Sequence, residues 1–272
     1  MVVTSSNRRR PPPFDFSQLL FAVYGTTLEG RRLRFWATAE REDICLADAA
    51  RDEAFQEESL PLGSFGEDFG ENIRCGNVYE AVPALCRALV HARQEGAGRL
   101  APAAASAPTR RVLEMGAGMG LPGMWAALEG DQVVLTDANL ATLELIRRSC
   151  ILNEVSAAGV RELSFGETPE WLRGSFDLVL AADVIYEEGQ AEPLFTSAAA
   201  ALQHHGEFFL GHKNRSNLDL PSELGQAAKF DLELLAGDPN CEDGVVQVFR
   251  FAKRQVSRPA PPTEPVDFDS MD

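Results

Sequence analysis

LEMGAGMGLPG, residues Leu113 to Gly123, holds four glycines and can be read in two registers. In one, Gly118, Gly120 and Gly123 make G-x-G-x-x-G, the turn that seats a dinucleotide pyrophosphate at a helix N-terminus. In the other the motif starts earlier, as E-x-G-x-G-x-G from Glu114 through Gly116, Gly118 and Gly120. Both registers run a short buried strand, RVLEM, into a tight turn and then into LPGMWAALEG, a helix that stops at Gly130. The two registers ask for different ligands, so the flanking sequence has to choose.

Outward from the turn, strands alternate with helices. QVVLT, VRELSF, FDLVLAA and GEFFLG read as strands two to five, and FDLELLA and VVQVFRFAK as the last two. NLATLELIRRSCILNE reads as a helix with Leu143, Ile146 and Cys150 on one side, and Asn77 to Arg93 as another with Pro83 liable to shift or kink its start. This pattern predicts an α/β fold: a Rossmann-like, mostly parallel sheet of seven strands with helices on both faces. The last connection is too short for a helical crossover, so the last strand should run antiparallel. Between Phe14 and Ala39 the alternation of Leu33 and Phe35 with arginines, after TTLEG, predicts an N-terminal strand pair. Residues 40–71 are acidic and poorly periodic, and read as loops.

Residues 1–13 and 257–272 are proline-rich without apolar periodicity and read as disordered, the second as an acidic tail. Residues 94–110, rich in Ala, Pro and Gly, read as a flexible insertion. One folded domain, 14–256, remains, with residues 14–75 as an N-terminal extension.

Asp137 ends the second strand and suits ribose hydroxyls in either register, so it does not discriminate. Three features do. The glycine run begins at Gly116, directly after the strand. Pro122 belongs in a helix first turn. Glu114 places a carboxylate at a buried strand tip, where it would repel a pyrophosphate but suits the cationic amine of S-adenosylmethionine. A helix-capping carboxylate is the structural alternative for Glu114. The methyl-donor register is preferred.

RVLEMGAGMGLPG, VVLTDAN and FDLVLAADVIYEEG together resemble the class I seven-β-strand methyltransferases, and within them methyltransferase family 16, made largely of protein lysine methyltransferases. The resemblance covers roughly Gly76 to Lys253 and includes a D-x-x-Y signature, Asp183-Val184-Ile185-Tyr186. It implies that Gly116, Ala117 and Gly118 lie under the methionine and ribose, and that Asp137 binds the ribose. Phe165, where the family often has Trp, walls the adenine; Ala182 is the small residue against the adenosine. Tyr79 stands in the position of the tryptophan of W-x-A, near the methionine end, or else packs on the sheet as an ordinary helix residue.

Methyl transfer from a sulfonium is an in-line displacement, which asks the protein to align a nucleophile and exclude water. A lysine acceptor has an unperturbed pKa near ~10.4 and must shed its proton first. Asp183, at the carboxyl end of the fourth strand, is placed to orient the neutral amine, with helix N-capping as its structural alternative. Tyr186 walls the slot or holds Asp183. Enzymes that methylate amide or base nitrogens use [DN]-P-P-[YF] here, and Val184-Ile185 replaces the prolines. A lysine of a non-histone protein is therefore the expected acceptor. A small-molecule or other nitrogen acceptor, and a non-catalytic partner-binding domain, are the alternatives. A nicotinamide oxidoreductase ranks last.

The formal charge of −16 argues against a protein that tracks a phosphate backbone and suits a basic protein partner, although solubility alone also accounts for it. Cys45, Cys75, Cys86, Cys150 and Cys241 form no C-x-x-C, and His91, His204, His205 and His212 show no H-x-x-x-H, so no metal is expected. No stretch approaches a membrane span. A cytoplasmic monomer, with the nucleus as the other compartment, is the default.

Overall fold

The computed structural model describes residues 17–28, 31–38, 55–63, 80–96, 100, 109–155, 159–215, 223–225, 230–237 and 245–254. The tails expected at 1–13 and 257–272, most of the 94–110 insertion, and Tyr79 lie outside the described residues.

Three strands open the chain: β1 (Ser17–Leu28), β2 (Arg31–Thr38) and β3 (Phe55–Gly63). They form a separate antiparallel sheet in the order β2-β1-β3. The predicted pair is present, but the acidic stretch read as loop contributes the third strand. Pro61 within β3 has no N–H to donate and is tolerated because β3 is an edge strand. Its carboxylates and proline hide the strand from a propensity reading, and the exposed edge of β1 supplies the pairing instead.

The main sheet follows. Helix α1 (Ala81–Gln94) leads to β4 (Arg111–Met115), α2 (Leu121–Leu128), β5 (Gln132–Asp137), α3 (Leu140–Leu152) and β6 (Gly159–Glu162). Then come β7 (Phe176–Ala182), α4 (Ala191–Ala201), β8 (Leu202–Lys213), β9 (Phe230–Ala236) and β10 (Val246–Lys253). The order is β6-β5-β4-β7-β8-β10-β9, parallel except for β10, which lies antiparallel between β8 and β9. These are the seven predicted strands. α1 begins later than the apolar spacing suggested, after Glu80, so Pro83 falls in its first turn, where a missing N–H breaks nothing. β6 ends earlier than predicted: the Ser164 N–H donates to Glu167 Oε2 and Gly166 takes φ +90°, which turns the chain out of the sheet.

Alternation along the strands feeds two cores. Leu178, Leu180 and Phe209 face α1, α2 and α3, meeting Leu85, Leu89, Trp125 and Ile146. Val179, Ala181 and Phe208 face α4, meeting Leu194 and Phe195. Phe195 sits edge-on to Phe208, Phe230 and Phe251. Burying each such ring contributes ~1.5–3 kcal/mol, so truncating Phe195 would open the cluster where four elements meet.

From β4 the chain moves outward to β5 and β6, then returns to the other side of β4 as β7. That reversal between β4 and β7 leaves a crevice beyond their carboxyl ends, where ligands bind in open α/β sheets.

Candidate active site

The crevice is a cleft of about 440 Å³. One wall is the turn after β4. Gly116 takes φ +61°, and a Cβ there would lie 2.8 Å from Val184 Cγ1 and 3.1 Å from Phe165 Cζ. Only glycine lets the turn pass beneath the loop that follows β7. Two bonds fasten the turn to β5: the Ala117 N–H donates to Thr136 O (2.8 Å), and Thr136 Oγ1 donates to Glu114 O (2.8 Å).

Gly116, Ala117 and Gly118 line the cleft, as do Asp137, Phe165 and Ala182. The Asp137 carboxylate accepts the Gly118 N–H at 3.1 Å and the Asn139 N–H at 2.9 Å. Burial nevertheless raises its pKa, opposed by those backbone donors and by Ala138. Phe165 is fixed through its neighbour: the Gly166 N–H donates to Pro193 O (3.0 Å) and Ser197 Oγ (2.9 Å), both in α4.

Glu114 does not line the cleft. Its carboxylate turns beneath the loop and accepts the Gly123 N–H at 2.8 Å, in the first turn of α2. The position expected to meet a cofactor amine is therefore a brace between β4 and α2, close to the helix-capping alternative. Burial pushes its carboxyl up to about 8, opposed by the Gly123 bond and helped by the charge of Asp137. Gly123, the third glycine of the rejected register, has no room for a side chain: a Cβ would sit 2.3 Å from Leu135 and 2.5 Å from Glu114 Oε2. It is the close-packing glycine between helix and strand, a role both registers allow.

The opposite wall is the loop after β7. Asp183 is 5% exposed and takes φ +56°, a left-handed conformation that Asp tolerates better than most residues. Its N–H donates to Gly211 O of β8 at 2.8 Å. It caps no helix, since α4 begins after Gln190. Tyr186 stands 40% exposed at the mouth, and the N–H groups of Tyr186 and Glu187 both donate to Gln190 Oε1 (2.9 and 3.0 Å).

Sequence reasoning gave Tyr186 the task of walling the slot or holding Asp183 and missed Arg215, which grips both carboxylate oxygens (2.9 and 3.0 Å). Arg215 lies two residues beyond β8, in HKNRS, and only the pairing of β7 with β8 brings it to the site. His212 was likewise missed. It is 1% exposed, its Nδ1 meets no hydrogen-bond partner among the described residues, and burial pushes its imidazole down to about 4, with Asp183 raising and Arg215 further lowering it.

A family model described as "Lysine methyltransferase" matches residues 61–221. The chain is 33% identical over 156 residues to EEF1A lysine methyltransferase 3 of Mus musculus, covering 54% of this chain and 64% of that protein. It is 35% identical over 113 residues to Histone-arginine methyltransferase METTL23 of Xenopus laevis, covering 39% and 48%. The matched stretches thus span less than two thirds of those relatives' lengths. Among solved structures, the T. Thermophilus 16S rRNA N2 G1207 methyltransferase in complex with AdoMet and guanosine aligns at TM-score 0.55 and 19% identity. That alignment covers 86% of this chain and 51% of the other, and the likeness is one of fold.

Proposed function

Starting from the chain's membership of the lysine methyltransferase family, we propose that it transfers a methyl group from S-adenosylmethionine to a lysine side-chain amine of a protein. The observation that carries this reading is one cleft holding the Gly116–Gly118 turn and Asp137 on one wall and Asp183 with Tyr186 on the other. The residues fit the cofactor. Gly118 takes φ +52° and a Cβ there would meet nothing within 4 Å among the described residues, so the turn leaves space above its backbone. Asp137 presents an acceptor pair for ribose hydroxyls, and Phe165 with Leu163 offers an apolar flank for a base. The cofactor, when bound, supplies the electrophilic methyl of a sulfonium.

The chain's own residues do the rest. Asp137 and the turn position the donor, Asp183 accepts a hydrogen bond from the acceptor amine and aims its lone pair, and Tyr186 narrows the mouth. Catalysis of this kind is alignment in a water-poor slot. Glu114 acts at one remove by holding α2 against β4. The excess of acidic residues supports a basic protein acceptor. The buried thiols of Cys86 and Cys150 are in keeping with a reducing compartment, the cytoplasm first.

The name of the Xenopus relative motivates an arginine acceptor as the second reading. Calorimetric titration with S-adenosylhomocysteine, with NADH run alongside, tests the donor site; binding of NADH alone would overturn it. Radiolabel transfer from the methyl donor into lysate proteins, followed by mass spectrometry of the labelled peptide, tests the acceptor. Methyl-lysine supports the proposal and methyl-arginine overturns it.

A further inference from the structure

Arg215 lies on the cleft wall, its side chain 26% exposed against 3% for Asp183. Nη1 donates to Asp183 Oδ1 at 2.9 Å, to Ile185 O at 3.1 Å and to Lys213 O at 3.0 Å. Nη2 donates to Asp183 Oδ2 at 3.0 Å. Backbone on both sides therefore fixes the guanidinium, and a two-bond fork holds the carboxylate in plane with it. Each Asp183 oxygen keeps a further lone pair, so the carboxylate still accepts a hydrogen bond. Its charge, however, is already matched.

Among the described residues, the surrounding groups do not restore a negative site. His212, buried beneath on β8, is held neutral above about 4. Lys213 is drawn away to Glu80 at 3.1 Å. Asp137 stands across the cleft with its oxygens on backbone N–H groups. Tyr186 brings a phenol at the mouth, and Glu187 and Glu188 lie on the exposed outer loop.

Resting on the methyltransferase reading above, we propose that Arg215 sets the acceptor class: it cancels the charge of Asp183 and so admits an aliphatic amine only after that amine has lost its proton, while rejecting a guanidinium. A free ammonium offers no advantage to a site that is already an ion pair, and a fixed guanidinium repels it. An amine with pKa near ~10.4 reaches its neutral form near neutral pH far more readily than a guanidine with pKa above ~12. The charge match thereby favours lysine over arginine, using a residue that also grips both side-chain oxygens of Asp183.

The test uses the full chain saturated with S-adenosylhomocysteine and titrated with n-butylamine and n-butylguanidine, followed by saturation-transfer NMR from pH 7.5 to 9.5. The parent should bind n-butylamine about tenfold more tightly per pH unit, following its neutral fraction, and should bind n-butylguanidine at least ~10-fold more weakly at the top of the range. Arg215→Gln should flatten that slope and let the guanidinium bind as well as the amine. Arg215→Lys, which keeps the charge without the fork, should retain the parent's slope, and it carries the test if the Gln variant no longer takes up S-adenosylhomocysteine. A parent that binds both probes alike, or neither, overturns the proposal. So does an Arg215→Gln protein with the parent's slope and selectivity, or an Arg215→Lys protein that has lost them. Failure of the parent to bind S-adenosylhomocysteine is a separate result, and it refutes the methyl-donor reading itself.

Discussion

The two walls of the cleft are built from different materials. The donor wall is largely one stretch of chain, from Glu114 to Asn139: a strand, a glycine turn, a helix and a second strand that ends at Asp137. Its contacts are mostly backbone N–H groups and the absence of side chains. The acceptor wall is assembled from places far apart in sequence, with Asp183 and Tyr186 after β7, Gln190 before α4 and Arg215 after β8. Its contacts are side-chain forks, and its central residue sits in a conformation most residues avoid. A wall made of local backbone tolerates little substitution but is easily read. One made of distant side chains can be retuned residue by residue.

The largest effect should come from the acceptor wall. Asp183→Asn keeps the shape and the left-handed backbone but removes the carboxylate, and methyl transfer should fall about 100-fold, the scale of losing a positioned polar group at a reacting centre. S-adenosylhomocysteine affinity should stay within about threefold, since the donor wall is untouched. Equal loss of both would show that the walls are not separable. Asp137→Ala is the mirror experiment. Calorimetry should show affinity for S-adenosylhomocysteine reduced about 30-fold, as expected for a carboxylate that accepts charge-assisted bonds. An unchanged affinity would remove Asp137 from the donor wall.

The third test concerns the brace beneath the donor wall. Glu114 has a folded pKa of about 8 against 4.5 unfolded, so between these values the folded state holds a proton that the unfolded state lacks, and stability falls as pH rises. His212 behind the acceptor wall has the opposite sign: about 4 folded against 6.5 unfolded, so stability is lost as pH drops through that range. The two slopes oppose each other up to pH 6.5, and above it only that of Glu114 remains. Stability by urea titration should therefore decline by up to ~2 kcal/mol between pH 6.5 and 8, at ~1.4 kcal/mol per pH unit, and Glu114→Gln should flatten that decline. A parent curve already flat there would mean that Glu114 ionises despite its burial. The smallest effect should be Tyr186→Phe. If the ring, and not the hydroxyl, narrows the mouth, kcat should fall less than about tenfold, the upper end of a single net hydrogen bond. A much larger drop would assign the hydroxyl a part in aiming the amine.

The same contrast explains what the sequence could tell. Strand–turn–helix periodicity from Arg111 to Asn139 is local, so the sheet and the meeting of the glycine turn with Asp137 at its carboxyl end were legible. Phe165 and Ala182 were found by their positions within motifs. Arg215 was not, because an arginine two residues past a strand carries no mark of its partner until β7 and β8 are paired. Glu114 was seen but pointed the wrong way: sequence placed a carboxylate at the strand tip without saying which side of the turn it faces, and the hydrogen bond it accepts from the Gly123 N–H fixes that. β3 was missed because Glu57, Glu58 and Pro61 suppress the strand signal that an available sheet edge overrides.

The antiparallel run of β10 also has a practical consequence. Val246 pairs with Lys213 at the cleft end of β8, whereas Ala252 pairs with Glu207 toward the opposite end, and Lys253 donates to Ala199 O and Leu202 O there. The chain thus leaves the sheet on its floor, beneath the cleft. A biotin or surface tether attached at Arg254 would hang the molecule with its opening toward the solution, the orientation needed for sensor-chip or pull-down work with a bulky acceptor.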